Sequence, residues 1–247
     1  MPPARGRSKR HVTATAVAVF VSVVCVSTTA KAQLTSNDPK AHEPTPHGID
    51  LGLAGNVSTL GVGGQISLLL GDHVAIRSGY NGFRYNGIVH VEGIDYDTHA
   101  RWKSVPMLLD LYPGRRGSFH FTGGALYNRN EGEAVGVPGG NQTIDINGTP
   151  YTPEQLGGPL HAHLTYPEFT GYAGLGFGTP ARGSRIALTF DIGAVIATPT
   201  FALSAPNAAT NARLASDIQT EQAQVQHRVN EDLRVYPVLS LGLMLRF

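Results

Sequence analysis

The chain has one cysteine, Cys25, among 247 residues. It falls in a segment that the N-terminal pattern marks for removal, so the mature chain is expected to have no disulfide framework, no thiol nucleophile and no thiolate metal ligand. A long apolar run is also missing: no segment after residue 32 has 18 consecutive apolar residues, and mean hydropathy is near zero at −0.08, which excludes a helical membrane protein. Strands that cross a bilayer escape that test, because alternation averages out. Nor is there an excess of positive charge, with 19 Lys plus Arg against 18 Asp plus Glu, and this removes the electrostatic case for nucleic-acid binding.

What is present begins with Arg5, Arg7, Lys9 and Arg10, an apolar stretch from Val12 to about Val26, and the small-x-small site Ala30-Lys31-Ala32. That order is a secretory signal peptide, so residues 1–32 are set aside. Five bases leave with it and no acid does, leaving 14 Lys plus Arg against 18 acids, a net charge of −4. Residues 33–47 are polar, with Pro39, Pro44 and Pro46, and read as a flexible periplasmic leader. The remaining chain, 48–247, is read as one domain.

In that domain the apolar residues recur with period two. From Val235 to Phe247 the odd positions Val235, Pro237, Leu239, Leu241, Leu243, Leu245 and Phe247 are all apolar, and the even ones are mixed, small or charged. One face of such a strand suits lipid and the other a polar interior. Seven further segments alternate in the same way: about 49–57, 62–70, 74–91, 95–112, 119–127, 166–177 and 186–196. The expected fold is all-β, an eight-stranded antiparallel transmembrane β-barrel. In the fourth strand, Arg101 and Lys103 would face lipid if the phase held, so a bulge near Pro106 is expected to turn them inward and Trp102 outward. Residues 132–164, rich in Gly, Pro and Asn, read as a long loop. Residues 198–233 form a second one, in which Leu214, Ile218, Val225, Val229 and Leu233 make a helical stripe with Asn207 as candidate N-cap. With eight strands and both ends periplasmic, the short connections at Gly71, Pro113 and Gly178 fall inside and the long ones outside. The helix is expected to cap the barrel mouth against the 132–164 loop.

Several of these stretches resemble a known group. Tyr80-Asn81-Gly82-Phe83, Leu109-Asp110-Leu111-Tyr112-Pro113, Asn147-Gly148-Thr149-Pro150-Tyr151-Thr152, Gly171 to Gly178, and the ending Tyr236 to Gly242 with Arg246-Phe247 are similar to small outer-membrane β-barrel domain proteins of Gram-negative bacteria, of OmpA- and OmpX-like architecture. The resemblance spans most of 48–247 and implies the cell outer membrane. Tyr236, Leu239, Leu241, Leu243, Leu245 and Phe247 then resemble the terminal signal that the barrel-insertion machinery reads. Outer-membrane lipid and lipopolysaccharide are the other expected partners, and the chain is expected to be a monomer.

Asp50, Arg77, Asp110, His120, Glu168, Asp191 and Arg246 are the ionisable residues in inward phase. An eight-stranded lumen is narrow enough to be filled by side chains, so opposite charges at one level should pair across it. The expected result is a plugged barrel with a structural or surface-interaction role. The alternative is a narrow porin-like channel for small cationic or zwitterionic solutes, and a lipid-modifying enzyme comes third. No nucleophile motif surrounds Ser184, Ser204 or His99, so no catalytic residues are assigned and no enzyme is expected. The Gly-rich runs lack the lysine of a phosphate loop, and no cofactor is expected. His161-Ala162-His163 could suggest a metal site, but as loop residues they read as solvated, and no metal is assigned.

Overall fold

The computed structural model describes residues 49–91, 94–114, 118–139, 142–178 and 186–247. The expected signal peptide with Cys25 and the expected leader lie outside the described residues. Eight strands close into an antiparallel barrel: β1 (Ile49–Ser58), β2 (Gly61–Leu70), β3 (Val74–Val91), β4 (Ile94–Leu111), β5 (Phe119–Asn128), β10 (Phe169–Phe177), β11 (Ile186–Ile196) and β13 (Val235–Arg246). Closure comes from the pairings of β4 with β5 and of β1 with β13. A circuit from Leu245 through Leu53, Ile66, Ser78, Met107, Ala125, Gly171 and Ile196 returns to β13 at Val235, ten residues from its start. Eight strands with that stagger tilt by about 40°, and the interior is wide enough only for side chains.

Every barrel strand places large apolar residues outside. Leu53, Ile66, Ile76, Leu109, Phe121, Leu175, Phe190 and Leu241 are each 39–52% exposed and represent the eight strands in turn. Among the described residues, no charged side chain occupies this outer face below the level of the Gly82–Lys103 pair. β11, 11 residues long, is apolar on this face throughout. At about 3.3 Å per residue and that tilt, it rises roughly 25 Å, the height of a lipid-facing band. Aromatic pairs mark both rims: Tyr127 with Phe169 at one, their rings 5.3 Å apart, and Phe119 with Phe177, also 5.3 Å apart, at the other.

β3 and β4, 18 residues each, outrun the barrel at one end. There β4 passes from pairing with β5 to pairing with β6 (Glu131–Val137), then β9 (Leu160–Thr165) and the edge strand β12 (Thr200–Ser204) follow, so the sheet continues upward as an external wall. The two long connections are therefore folded segments. The 132–164 stretch carries β6, the small hairpin of β7 (Ile144–Ile146) and β8 (Thr149–Tyr151), helix α1 (Pro153–Leu156), and β9. Its strand signal is muted because the inward residues of β6 are Gly132, Ala134 and Gly136. The hairpin turns on Asn147 (φ 52°) and Gly148 (φ 76°), the two left-handed residues of a type I′ turn, which Asn-Gly adopts readily.

The expected bulge at Pro106 is absent. Ser78 to Met107 and Asn81 to Ser104 hold one register, which runs unbroken to Val91 and Ile94. Trp102 is consequently buried inside, and Arg101 and Lys103 stay on the outer face. The physical reason is that they lie above the apolar band, where Arg101 meets its cross-strand neighbour Glu131 in an exposed ion pair.

Helix α2 (Ala212–Asp232) covers the inner side of this wall. Leu214, Ile218, Glu221, Val225 and Val229 are its buried residues. Val225 and Val229 belong to one apolar cluster with Leu126, Tyr172, Phe201 and Tyr236, so the helix packs into the barrel mouth. Its N-cap is Asn211, whose side chain accepts from the amides of Arg213 and Leu214 at 3.1 and 3.2 Å. Asn207 does another job: it precedes the helix in a short 3₁₀ turn and donates to the Glu154 and Gln155 carbonyls at the end of α1. Pro206 and that turn delay the helix start by four residues.

Candidate functional site

Four of the seven inward ionisable residues meet in the lower half of the barrel. Arg77 on β3 stands between a carboxylate of its neighbour β4 and one of β11 across the lumen. Its Nε is 2.6 Å from Asp110 Oδ2 on β4, and its terminal nitrogens donate to both Asp191 oxygens on β11 at 2.9 and 3.1 Å. The second contact is the bidentate fork that suits a guanidinium to a carboxylate. From β5, Thr122 Oγ1 donates to Asp110 at 2.8 Å and accepts from Arg77 at 3.2 Å, and His120 Nε2 lies 3.2 Å from Asp191 Oδ1. The His120 ring also packs 5.0 Å from that of Tyr112.

Arg77, Asp110, His120 and Asp191 are each no more than 5% exposed. Charges so far from water persist only when paired and hydrogen-bonded, and here strands from three sides of the lumen supply the partners. Gly176 makes room for them: a Cβ there would stand 2.2 Å from His120 Nε2 and 2.4 Å from Asp191 Oδ1. Above this level Asn56 donates to Asn81 at 2.8 Å. A cavity of about 30 Å³, bordered by Asn56, Gln65, Arg77, Tyr172 and Asp191, is the space beside it, about enough for one or two waters.

The other three residues do not join. Asp50 and Arg246 form a separate, half-exposed pair at 3.9 Å near the lower rim. Glu168 is a correction: it is exposed, not inward, because β10 starts only at Phe169, beyond Pro167, and the strand alternation does not reach it. In the terminal strand, Leu239, Leu241, Leu243 and Leu245 face outward, Phe247 is exposed, and Tyr236 points inside, its hydroxyl donating to the Thr59 carbonyl at 2.8 Å.

Outside the barrel, polar residues tie α2 to the wall. Asp217 accepts from the Tyr151 hydroxyl at 2.6 Å and the Asn147 amide side chain at 3.0 Å, and Glu221 accepts from the Asn147 backbone at 3.0 Å. The Tyr151 hydrogen bond, then that of Asn147, hold the Asp217 carboxyl below its ordinary range. Gln222 and Gln226 accept from the free-edge amides of Leu203 and Phe201 at 3.1 and 2.7 Å. One helical turn apart, about 6 Å, they nearly match the two-residue step of the strand, about 6.7 Å, and so occupy an edge that would otherwise be open to another strand. Sequence reading missed these glutamines because nothing near them announces an edge strand.

No family model matches the chain, and no curated protein matches it. Solved structures do, and two crystal structures are among them. Acinetobacter baumannii CarO2 aligns at 21% identity over 81% of this chain and 99% of its own, with a TM-score of 0.56. Acinetobacter baumannii CarO aligns at 18% identity over 81% and 98%, with a TM-score of 0.53. The likeness is one of fold: the chain is a closed eight-stranded antiparallel barrel arranged as these two are.

Proposed function

We propose that the chain is a monomeric outer-membrane barrel with a closed lumen, serving a structural or surface-interaction role through its external sheet and helix. The observation that carries the membrane reading is the polarity of β4. Below Ser104 its outward residues Val105, Met107, Leu109 and Leu111 are apolar and Asp110 is buried inside. Above it the outward residues are Asp95, Asp97, His99, Arg101 and Lys103, and Ile94, Thr98, Ala100 and Trp102 are buried inside. Register is constant throughout, so the medium on the outer side is what changes, from lipid to water. The outer lipid and lipopolysaccharide would meet the apolar band, and the insertion machinery the leucines of β13.

The crossed Arg77–Asp110–Asp191 ion pairs and the 30 Å³ cavity support closure. Planar-bilayer conductance tests it, on protein whose folding is shown by heat-modifiable migration. Folded protein that adds no conductance to the bare bilayer is the expected result, and steady conductance overturns it. One feature favours a second reading, a narrow cation path: the buried cluster holds two carboxylates for one guanidinium. A conductance that changes on Asp191→Asn would establish that path instead.

A further inference from the structure

His161 and His163 are strand residues, not loop residues, and this changes what they can do. On β9 they point to the same outward side, with rings 6.3 Å apart and 6° from parallel. Glu133 on β6 is the direct cross-strand partner of His163, with His161 on the diagonal. Its Oε1 lies 3.4 Å from His161 Nδ1 and 3.5 Å from His163 Nε2. Donor atoms from the three residues all fall within 4.8 Å of one another.

We propose that Glu133, His161 and His163 form a three-ligand site for a transition-metal dication of the zinc class on the outer face of the external sheet. Two imidazoles and a carboxylate are a donor set that zinc takes when its fourth position stays open to water or ligand. At bonds of about 2.0–2.1 Å the edge of a coordination tetrahedron is about 3.3–3.4 Å, and the two carboxylate-to-imidazole separations already match it. The carboxylate is shared between the two rings, and all three side chains keep a third to a half of their surface exposed, so an ion can reach them. Glu133 and His163 also line a concave cleft of about 500 Å³, with His99, Arg101 and Glu131 along its floor, which leaves space at the fourth position. His99 is engaged elsewhere: it is 3.0 Å from Asn86 Oδ1 and 3.6 Å from Asp97 Oδ1. The site needs only the fold and is independent of whether the lumen conducts.

The test is calorimetric titration of zinc chloride into the refolded full chain in detergent, without an oligohistidine tag, each variant being checked for heat-modifiable migration. One saturable equivalent is expected, weakened about tenfold or more in the His161→Ala/His163→Ala double variant. Glu133→Gln should weaken it as well, and His227→Ala, on the exposed side of α2, should leave it unchanged. Absence of saturable binding, or equal binding by the folded double variant, would overturn the site and leave the trio as plain carboxylate–imidazole pairs.

Discussion

The lower and upper halves of β4 belong to one strand in one register, yet they are built as opposites. In the barrel half the outside is apolar and the inside holds ions. In the external half the inside is apolar, around Trp102 and Phe201, and the outside holds ions. Inside and outside have no fixed polarity in this protein; the contrast reverses between the two halves of one strand. The same pair type is therefore expected to differ in weight between the halves. Arg77 with Asp110 and Asp191 is at most 7% exposed, and Arg101 with Glu131 is about half exposed.

Substitutions that exploit this contrast should differ by several kcal/mol. The largest effect is expected from Arg77→Met, which leaves two buried carboxylates facing each other and should cost about 3–5 kcal/mol. Arg101→Ala, at the exposed pair, should cost less than about 1 kcal/mol. Urea unfolding in lipid vesicles, followed by gel migration, measures both, and equal losses would break the comparison. Next, Leu241→Arg on the outer band should cost about 2–4 kcal/mol, the value for a cation near the bilayer midplane. Ile88→Arg, on the outward face of the upper half, should be nearly neutral in the same assay.

A smaller effect is expected at the sheet edge. Gln222→Ala with Gln226→Ala removes the acceptors of the Phe201 and Leu203 amides, about 1 kcal/mol each. Faster hydrogen exchange at those two amides, with the barrel amides unchanged, is the expected reading. The smallest is pH-dependent. Because Tyr151 and Asn147 hold the Asp217 carboxyl below its ordinary range, its contribution to docking α2 is fully present above that range and is lost as pH falls through the lowered value. Protection of the Asn147 side-chain amide protons, which donate to Asp217, should fall with acidification below about pH 4, the ordinary carboxylate value, once the intrinsic pH dependence of exchange is divided out, and Asp217→Asn should remove that dependence.

The barrel half was legible in the sequence because large apolar residues recur at alternate positions on the outer face of all eight strands. The convergence of Arg77, Asp110, His120 and Asp191 followed from their phase along the strands, although phase alone misplaced Glu168, which lies outside its strand. The external half was less legible. Its inward residues at 132, 134 and 136 are Gly and Ala, Gly136 leaving room for the Tyr96 ring and Ala134 packing in the cluster of Val225 and Val229, so alternation there carries little hydrophobic contrast. For the same reason the pattern around His161 and His163 does not mark them as strand residues. The bulge expected at Pro106 is absent because the apolar rule for outward residues stops at the level of Ser104, below Arg101.

The most direct test is a nitroxide scan along the outward positions of β4, with single cysteines at 95, 97, 99, 101, 103, 105, 107, 109 and 111 and Cys25 replaced. Accessibility to a water-soluble nickel complex is compared with accessibility to oxygen in lipid vesicles. The account predicts aqueous readings from 95 to 101, a switch between 103 and 105, and lipid readings from 105 to 111. Aqueous readings along the whole strand, or lipid readings that continue through 99, would contradict it.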